Sequence, residues 1–234
     1  MASDEKIVAC HPKIKLFADK TKFEHAGGAG GMIDFLGYPF CRGRIFEELE
    51  TDSGQYDDNI PVFWATGACM FVKAKTYHEF GGLDEIYFAH MEEIDFCWRV
   101  KNAGLQVWYC GESEVFHVGG GTMPKSNPRK TYLNFRNSLM LLFKNLPGLQ
   151  LPFIILIRMI LDGISALMFL SKGEAGNFKA VFRAHIHFYQ RIPKLLKRRK
   201  LAQSNLKTHQ HKERMNLSIV WKHFAQGVKY FKDL

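Results

Sequence analysis

Residues 151 to 170, LPFIILIRMILDGISALMFL, constrain this 234-residue chain more than any other stretch. About 20 consecutive apolar residues match the thickness of a bilayer core. Arg158 and Asp162 interrupt the run, and standing four apart they share one helical face and can pair. Pairing lowers, without abolishing, the cost of placing either charge in hydrocarbon. Three readings stay open, in this order: an interfacial or re-entrant helix pair, a true span, and a buried core helix. From Arg191 to Arg214 there follow nine Lys or Arg residues and a single acid, Glu213. Such a cluster beside an apolar segment is drawn to anionic cytoplasmic lipid at ~1 kcal/mol per basic residue. A solvated polar helix or a disordered tail is the alternative.

At 234 residues the whole chain is long enough for one good-sized domain plus an appendage, and its 47% hydrophobic content is ordinary for a protein that buries a core. Lys and Arg number 32 against 23 Asp and Glu, a formal charge of +9, so an anionic partner is expected: nucleic acid, lipid headgroups or a phosphorylated substrate. Cys10, Cys41, Cys69, Cys97 and Cys110 are odd in number, form no CxxC pair and sit among apolar or aromatic neighbours, the pattern of reduced thiols. The opening MASDEKIVACHPKIKLF lacks the charged start, apolar run and small-residue site of a secretory signal. Together these place the chain on the cytoplasmic side.

Along the chain, Ile7 to Ala9 and then Ile14, Leu16 and Phe17 suggest a strand beginning. Residues 25 to 60 hold the glycine-rich HAGGAGG and many turn residues, and are expected to form a long ordered loop; a flexible linker is the alternative. PVFWATGACMFV, residues 61 to 72, predicts a central buried strand kinked at Gly67, where a backbone or ligand passes close. A short helix is expected around Lys75 to Phe80. Met91, Ile94, Cys97 and Trp98 then recur at helical spacing, with Gly104 as the stop. Val107 to Cys110 and Val115 to His117 suggest strands, and Thr131 to Leu146 an amphipathic helix.

The densest chemistry lies in FAHMEEIDFCWR, where Glu92, Glu93 and Asp95 occupy the first turns of a helix. The helix dipole favours acids there, which is a purely structural explanation. Three crowded carboxylates beside Phe88, Ile94, Phe96 and Trp98 should also raise at least one pKa into the range of a general base. A second feature is His117, at a strand end ahead of Gly119, Gly120 and Gly121. A lone histidine is usually a structural hydrogen bonder. A strand end opening on a glycine loop is nonetheless where α/β folds build sites, and imidazole is a common metal ligand.

The ordered series WATGACMFVKAKTYHEFGGLDEIYFAHMEEIDFCWRVKNAGLQVWYCGESEVFHVGGGT resembles the second half of the GT-A catalytic domain of family 2 glycosyltransferases, particularly rhamnosyltransferase-like bacterial members. The likeness covers roughly residues 5 to 145 and is specific because many spaced elements occur in order. It implies an α/β fold, the C-terminal half of a GT-A domain, followed by membrane-associated helices. It also implies that Glu93 is the base that deprotonates the acceptor hydroxyl, standing where the family has aspartate. Glu92 and Asp95 would orient the helix or touch the acceptor. His117 would complete the coordination of a divalent cation, Mg or Mn, on the donor diphosphate. Trp64, Thr66 and Gly67 would line the sugar pocket.

The family's nucleotide-binding aspartate and DxD motif precede the part that this chain matches. Asp57 and Asp58 are adjacent and are not assigned to the metal. The chain is therefore expected to be a fragment, to work with a separate N-terminal half, or to have lost donor binding.

Two segments are expected: residues 1 to 146, the acceptor and catalytic half, and residues 147 to 234, an apolar helix with a basic tail. The leading reading is a glycosyltransferase, inverting on the strength of the resemblance, acting on a nucleotide-sugar donor and a lipid-linked or glycan acceptor at the cytoplasmic face of the inner membrane. A non-catalytic membrane-surface module is the alternative. Nucleic-acid binding ranks last, because the basic residues gather in the tail rather than interleaving with aromatics along one face.

Overall fold

Strand β1 (Ile7–Leu16) is buried along most of its length and lies inside a sheet. The computed structural model describes residues 1, 4–24, 27–118 and 127–234. On one side β1 pairs in parallel with β8 (Gln106–His117), and on the other antiparallel with the short β7 (Phe71–Val72). Strand β6 (Asn59–Val62) adds antiparallel to the far edge of β8, giving the order β6-β8-β1-β7. The register slips at Pro12/Lys13, where proline cannot donate to the ladder.

A second sheet has the order β5-β4-β3-β2-β9. Its strands are β2 (Gly31–Asp34), β3 (Pro39–Cys41), β4 (Arg44–Ile45), β5 (Glu48–Leu49) and, from the far end of the chain, β9 (Arg214–Met215). Much of the segment expected to be loop is therefore a meander of strands two to four residues long. Such strands are too short to display a period of two.

The expected single strand over 61 to 72 is likewise two strands, β6 and β7, separated by a turn in which the Cys69 amide donates to the Thr66 carbonyl. The two strands expected near 107 and 115 are one continuous β8.

Helix α1 (Ala74–Glu79) and helix α2 (Glu92–Asn102) follow as the spacing predicts. Helix α3 (Pro128–Asn145) starts with Asn127 accepting from the Arg129 amide and with proline in its first turn. On its inner face Leu139, Leu141 and Leu142 are fully buried in the core.

Helices α4 (Leu151–Ser171) and α5 (Ala175–Ala202) form a hairpin against α3. Only Ile154, Arg158, Asp162 and Ala166 of α4 are buried, a narrow stripe at four-residue spacing. Arg158 donates to the Leu36 carbonyl at 3.1 Å, and its guanidinium stacks 3.8 Å from the Tyr38 ring centroid. Asp162 lies 3.0 Å from His185 of α5. Both charges in the apolar run thus face the protein, and the outward faces of α4 keep only apolar and small side chains.

The chain then returns. Strand β9 pairs with β2, and the Ile219 amide, at the start of α6 (Ile219–Phe224), donates to Asp34 at 3.0 Å. Ile154, Phe188, Leu195 and Ile219 belong to the same buried cluster as Val8, Trp98 and Leu139, so one core runs across residue 147.

Candidate functional site

Backbone strain is concentrated just ahead of α2. Phe88, His90 and Met91 hold φ of 68°, 68° and 76°, a left-handed region that side chains with a Cβ seldom occupy. Strain of about 1–3 kcal/mol per residue persists only where surrounding contacts over-determine it, and it gathers at functional sites. Those contacts come from α3. Asn137 Nδ2 donates to the carbonyls of Tyr87, Ala89 and His90 at 3.0, 2.7 and 2.8 Å, and Arg136 adds a bond to the Tyr87 carbonyl at 2.9 Å. Sequence reasoning missed this pair. The only signal was two polar residues inside the apolar face of an otherwise amphipathic helix.

The strained loop delivers Glu92 and Glu93 to the first turn of α2. One carboxylate oxygen of each, and His90 Nε2, is buried with no hydrogen-bond partner. Burial, and after it the charge of Glu92, pushes the Glu93 carboxyl up to about 7. Burial also raises Glu92. Close by stands Gly67, exposed: the nearest neighbours of a Cβ added there would be the Cβ, Cγ and Cδ of Glu93, at 3.9 Å. The Gly67 position and the Glu93 side chain are therefore neighbours, at ordinary contact distance.

Asp95 does different work. It is fully buried and takes hydrogen bonds from Tyr87 (3.1 Å), Arg99 (2.8 Å), Lys144 (2.8 Å) and Asn145 (2.9 Å). Burial alone would raise its carboxyl, but Lys144 and Arg99 outweigh that and hold it below the usual range. Lys144 also reaches Asp84 at 2.7 Å, and Arg99 the Gly82 carbonyl at 2.7 Å, so Asp95 locks α2, α3 and the 80–84 turn together. No surface of Asp95 is open to an acceptor.

Phe88, expected in the apolar wall beside the acids, is 69% exposed, with Arg129 stacked 5.2 Å from its ring. Phe96 and Trp98 are buried on the core side of the helix. What raises Glu93 is burial at the helix start and, after it, the charge of Glu92, and the exposed Phe88 ring is turned to solvent.

Trp64 and Thr66 lie on the segment that leads into Gly67. A side chain on Gly31 would fall 2.3 Å from the Trp64 indole, so glycine is required for that ring to lie flat on the β2 backbone. The indole Nε1 donates to the Met32 carbonyl at 2.8 Å. Trp64 also lines a small cavity of about 160 Å³ with Tyr38, Phe46, Ile94 and Ile219. Thr66 is 2% exposed, and its hydroxyl accepts from the Ala68 amide at 3.2 Å, fixing the turn that carries Gly67.

His117 ends β8 with its Nδ1 3.2 Å from the buried Glu24 carboxylate. The glycines that follow it, 119 to 121, lie outside the described residues. Among the described residues no three His, Cys, Asp or Glu side chains gather closely enough to hold a metal ion. His117 and Glu24 offer two donors and do not by themselves make a divalent-cation centre. The five cysteines are free.

No known protein-family profile matches the chain. It is similar to sugar-transferring enzymes of surface-glycan synthesis over part of its length. Over 88 residues it is 39% identical to the N-acetylglucosaminyl-diphospho-decaprenol L-rhamnosyltransferase of Mycobacterium tuberculosis, covering 38% of this chain and 28% of that protein. Over 110 residues it is 29% identical to the low-salt glycan biosynthesis hexosyltransferase Agl10 of Haloferax volcanii, covering 44% and 34%. Over 62 residues it is 32% identical to the rhamnosyltransferase WbbL of Escherichia coli K12, covering 26% and 23%. The chain spans about a quarter to a third of the length of these relatives.

Proposed function

We propose that this chain is the acceptor-side, base-carrying part of a glycosyltransferase that moves a sugar from a nucleoside-diphosphate donor to a lipid-linked or polysaccharide acceptor. The observation that carries the reading is Glu93: a carboxylate with a pKa of about 7, one buried oxygen unpartnered, at the end of a strained loop. A group poised near the working pH is what general-base catalysis needs.

In the proposed step Glu93 takes the proton of the acceptor hydroxyl as that oxygen attacks the anomeric carbon. The bond from that carbon to the diphosphate oxygen breaks, and the diphosphate leaves with the electron pair. Attack opposite the leaving group inverts the anomeric centre. Asp95 holds α2 in place, while Glu92, Trp64, Thr66 and Gly67 shape the acceptor space. A divalent cation on the diphosphate is an expectation of the family resemblance, with His117 as one ligand. Its chemistry would be to offset the charge of the departing diphosphate, and proton transfer to Glu93 does not depend on it. The donor site falls to a preceding half. In support, β7 is a two-residue edge strand whose Phe71 is 59% exposed, an unpaired edge that further sheet can extend.

The seat of the enzyme is proposed to be the cytoplasmic face of the inner membrane. Leu149, Phe153, Leu156, Ile160 and Leu167 of the α4 side are 58–91% exposed, far more contiguous apolar surface than a water-facing helix carries. The lysines and arginines of the neighbouring α5 supply the charge that anionic lipid attracts. An interfacial α4 with Arg158 and Asp162 turned inward avoids the cost of charge in hydrocarbon.

The test is transfer by the chain joined to its upstream half, with Glu93→Gln beside the parent. Loss of transfer with vesicle binding intact supports the reading. Undiminished transfer by Glu93→Gln would remove Glu93 as base, and vesicle binding without any transfer by the parent would leave the membrane-surface module.

A further inference from the structure

At the start of α4 an open cavity of about 820 Å³ has two unlike walls. Phe35, Leu149, Phe153, Ile154 and Ile157 make one wall apolar. His209, His211, Lys212 and Arg214, from the segment that returns to β9, make the other basic. The apolar wall continues without a break into the exposed outer face of α4.

Among the described residues no side chain of this wall forms a salt bridge, although the buried Asp34 carboxylate acts on Arg214 at longer range. Arg214 reaches the Gln150 side chain at 3.2 Å and the Phe35 carbonyl at 2.9 Å, both neutral, and its Nε is buried with no partner. His209 Nδ1 is also buried without a partner. Arg199, which donates to the Leu146 carbonyl at 2.7 Å, makes no ion pair among those residues, and neither does Lys212. Glu213, the only acid between 191 and 214, turns away to Lys101 at 3.1 Å. Burial first, then the charges of Arg199 and Arg214, hold His209 below its usual pKa, as expected where cations crowd without an anion. Unpaired cations beside an apolar wall in a partly desolvated cavity are complementary to an anionic amphiphile.

We propose that this cavity binds the phosphate of an anionic bilayer phospholipid, with Lys212 and Arg214 on the phosphate and Phe153 and Ile157 against the first carbons of its chains. The proposal rests on the membrane seat of the proposed function and adds a discrete lipid site to it. The phosphate of a lipid-linked sugar acceptor fits less well. His211 of the basic wall is bonded to Asn102 at 2.9 Å, at the C-terminal end of α2, whereas Glu93 stands at its N-terminal end. Nine residues of helix, about 13 Å at 1.5 Å per residue, lie between these two ends of α2.

The experiment measures partition of the full chain onto vesicles of phosphatidylcholine, with and without phosphatidylglycerol. It compares Lys212→Gln/Arg214→Gln with Lys197→Gln/Lys200→Gln, which removes the same charge from exposed positions of α5. Asn216→Glu places an acid at the exposed rim of the cavity without deleting an Arg214 contact, and guards against a folding defect in the first variant.

The expected result is a preference for phosphatidylglycerol about tenfold lower in Lys212→Gln/Arg214→Gln than in the α5 pair, with Asn216→Glu following the former and binding to neutral vesicles unchanged. Equal losses in the two double variants would mean diffuse attraction and overturn the site while leaving the membrane seat intact. No binding to either vesicle would overturn the membrane seat itself. Inorganic phosphate that erases the preference where chloride at equal ionic strength does not would assign the cavity to a free anion and overturn the lipid as its occupant.

Discussion

A methyl group added to Gly67 would lie 3.9 Å from the Cβ, Cγ and Cδ atoms of Glu93, ordinary contact distance with no closer neighbour. The exposed Gly67 thus lies directly beside the Glu93 side chain. Gly67→Ala should fold normally, within about 0.5 kcal/mol of the parent. Gly67→Leu should crowd the Glu93 side chain, and sugar transfer by the completed enzyme should fall at least tenfold with little change in thermal midpoint. A leucine variant of full activity would place the acceptor elsewhere.

The raised Glu93 pKa also makes a stability prediction. An unfolded glutamate titrates near 4.5 and the folded one near 7, so folding favours the protonated form. The stabilisation is fully present below pH 4.5 and is lost as pH rises through about 7. Glu93→Gln cannot lose that proton. It should match the parent at pH 4 and exceed its stability at pH 8 by about 1–3 kcal/mol, a range reduced for partial solvent access. Urea unfolding at the two pH values checks this. The acid limb of the transfer rate should rise through the same pH near 7, and Glu93→Gln should lower the plateau by about 10²–10⁴-fold.

Asp95 and Glu93 carry the same charge two residues apart, and their replacement should separate them. Asp95→Asn leaves Lys144 and Arg99 with half their partner in a buried setting, at a cost of about 3–5 kcal/mol. Unfolding measurements should register that loss, whereas Glu93→Gln should show none.

The motif that places the acids was legible because acidic residues ahead of Ile94, Cys97 and Trp98 announce a helix start on an apolar face. Its support was not. Asn137 acts on the carbonyl oxygens of Tyr87, Ala89 and His90, and left-handed backbone at Phe88, His90 and Met91 has no signature in side chains that ordinarily avoid it. The second sheet was hidden for another reason. Its strands are two to four residues long and are completed by β9, some 180 residues away from β2, so pairing rather than local pattern defines them. In α4 the uniform apolarity concealed which face is buried. Only the two charges marked it, and they mark the inner face.

Asn137→Ala tests the strained loop directly. Three carbonyls lose their shared donor, and α3 loses its grip on the segment before α2. Stability should fall by about 2–4 kcal/mol. Transfer should fall further than stability explains at a temperature where the variant is folded, because the loop aims Glu93. Hydrogen exchange confined to residues 87–93 would locate the release, and protection equal to the parent there would argue that the strain is held by other contacts.

Arg158 and Asp162 allow the role of the buried charges in α4 to be separated from their presence. Removing Arg158 alone, as Arg158→Met, leaves Asp162 with His185 as its remaining partner and should cost about 3–5 kcal/mol. Replacing both, as Arg158→Met/Asp162→Leu, removes the unmatched charge along with its desolvation penalty and should recover most of that loss. Recovery would mean that the pair does not provide net stability but fixes which face of a nearly all-apolar helix turns inward. The double variant should then show a second change, since α4 would be apolar all round and free to rotate or insert. Protease protection on vesicles should increase over residues 151–171 in the double variant relative to the parent. Unchanged protection would mean that packing at Ile154 and Ala166 sets the helix orientation without help from the charges.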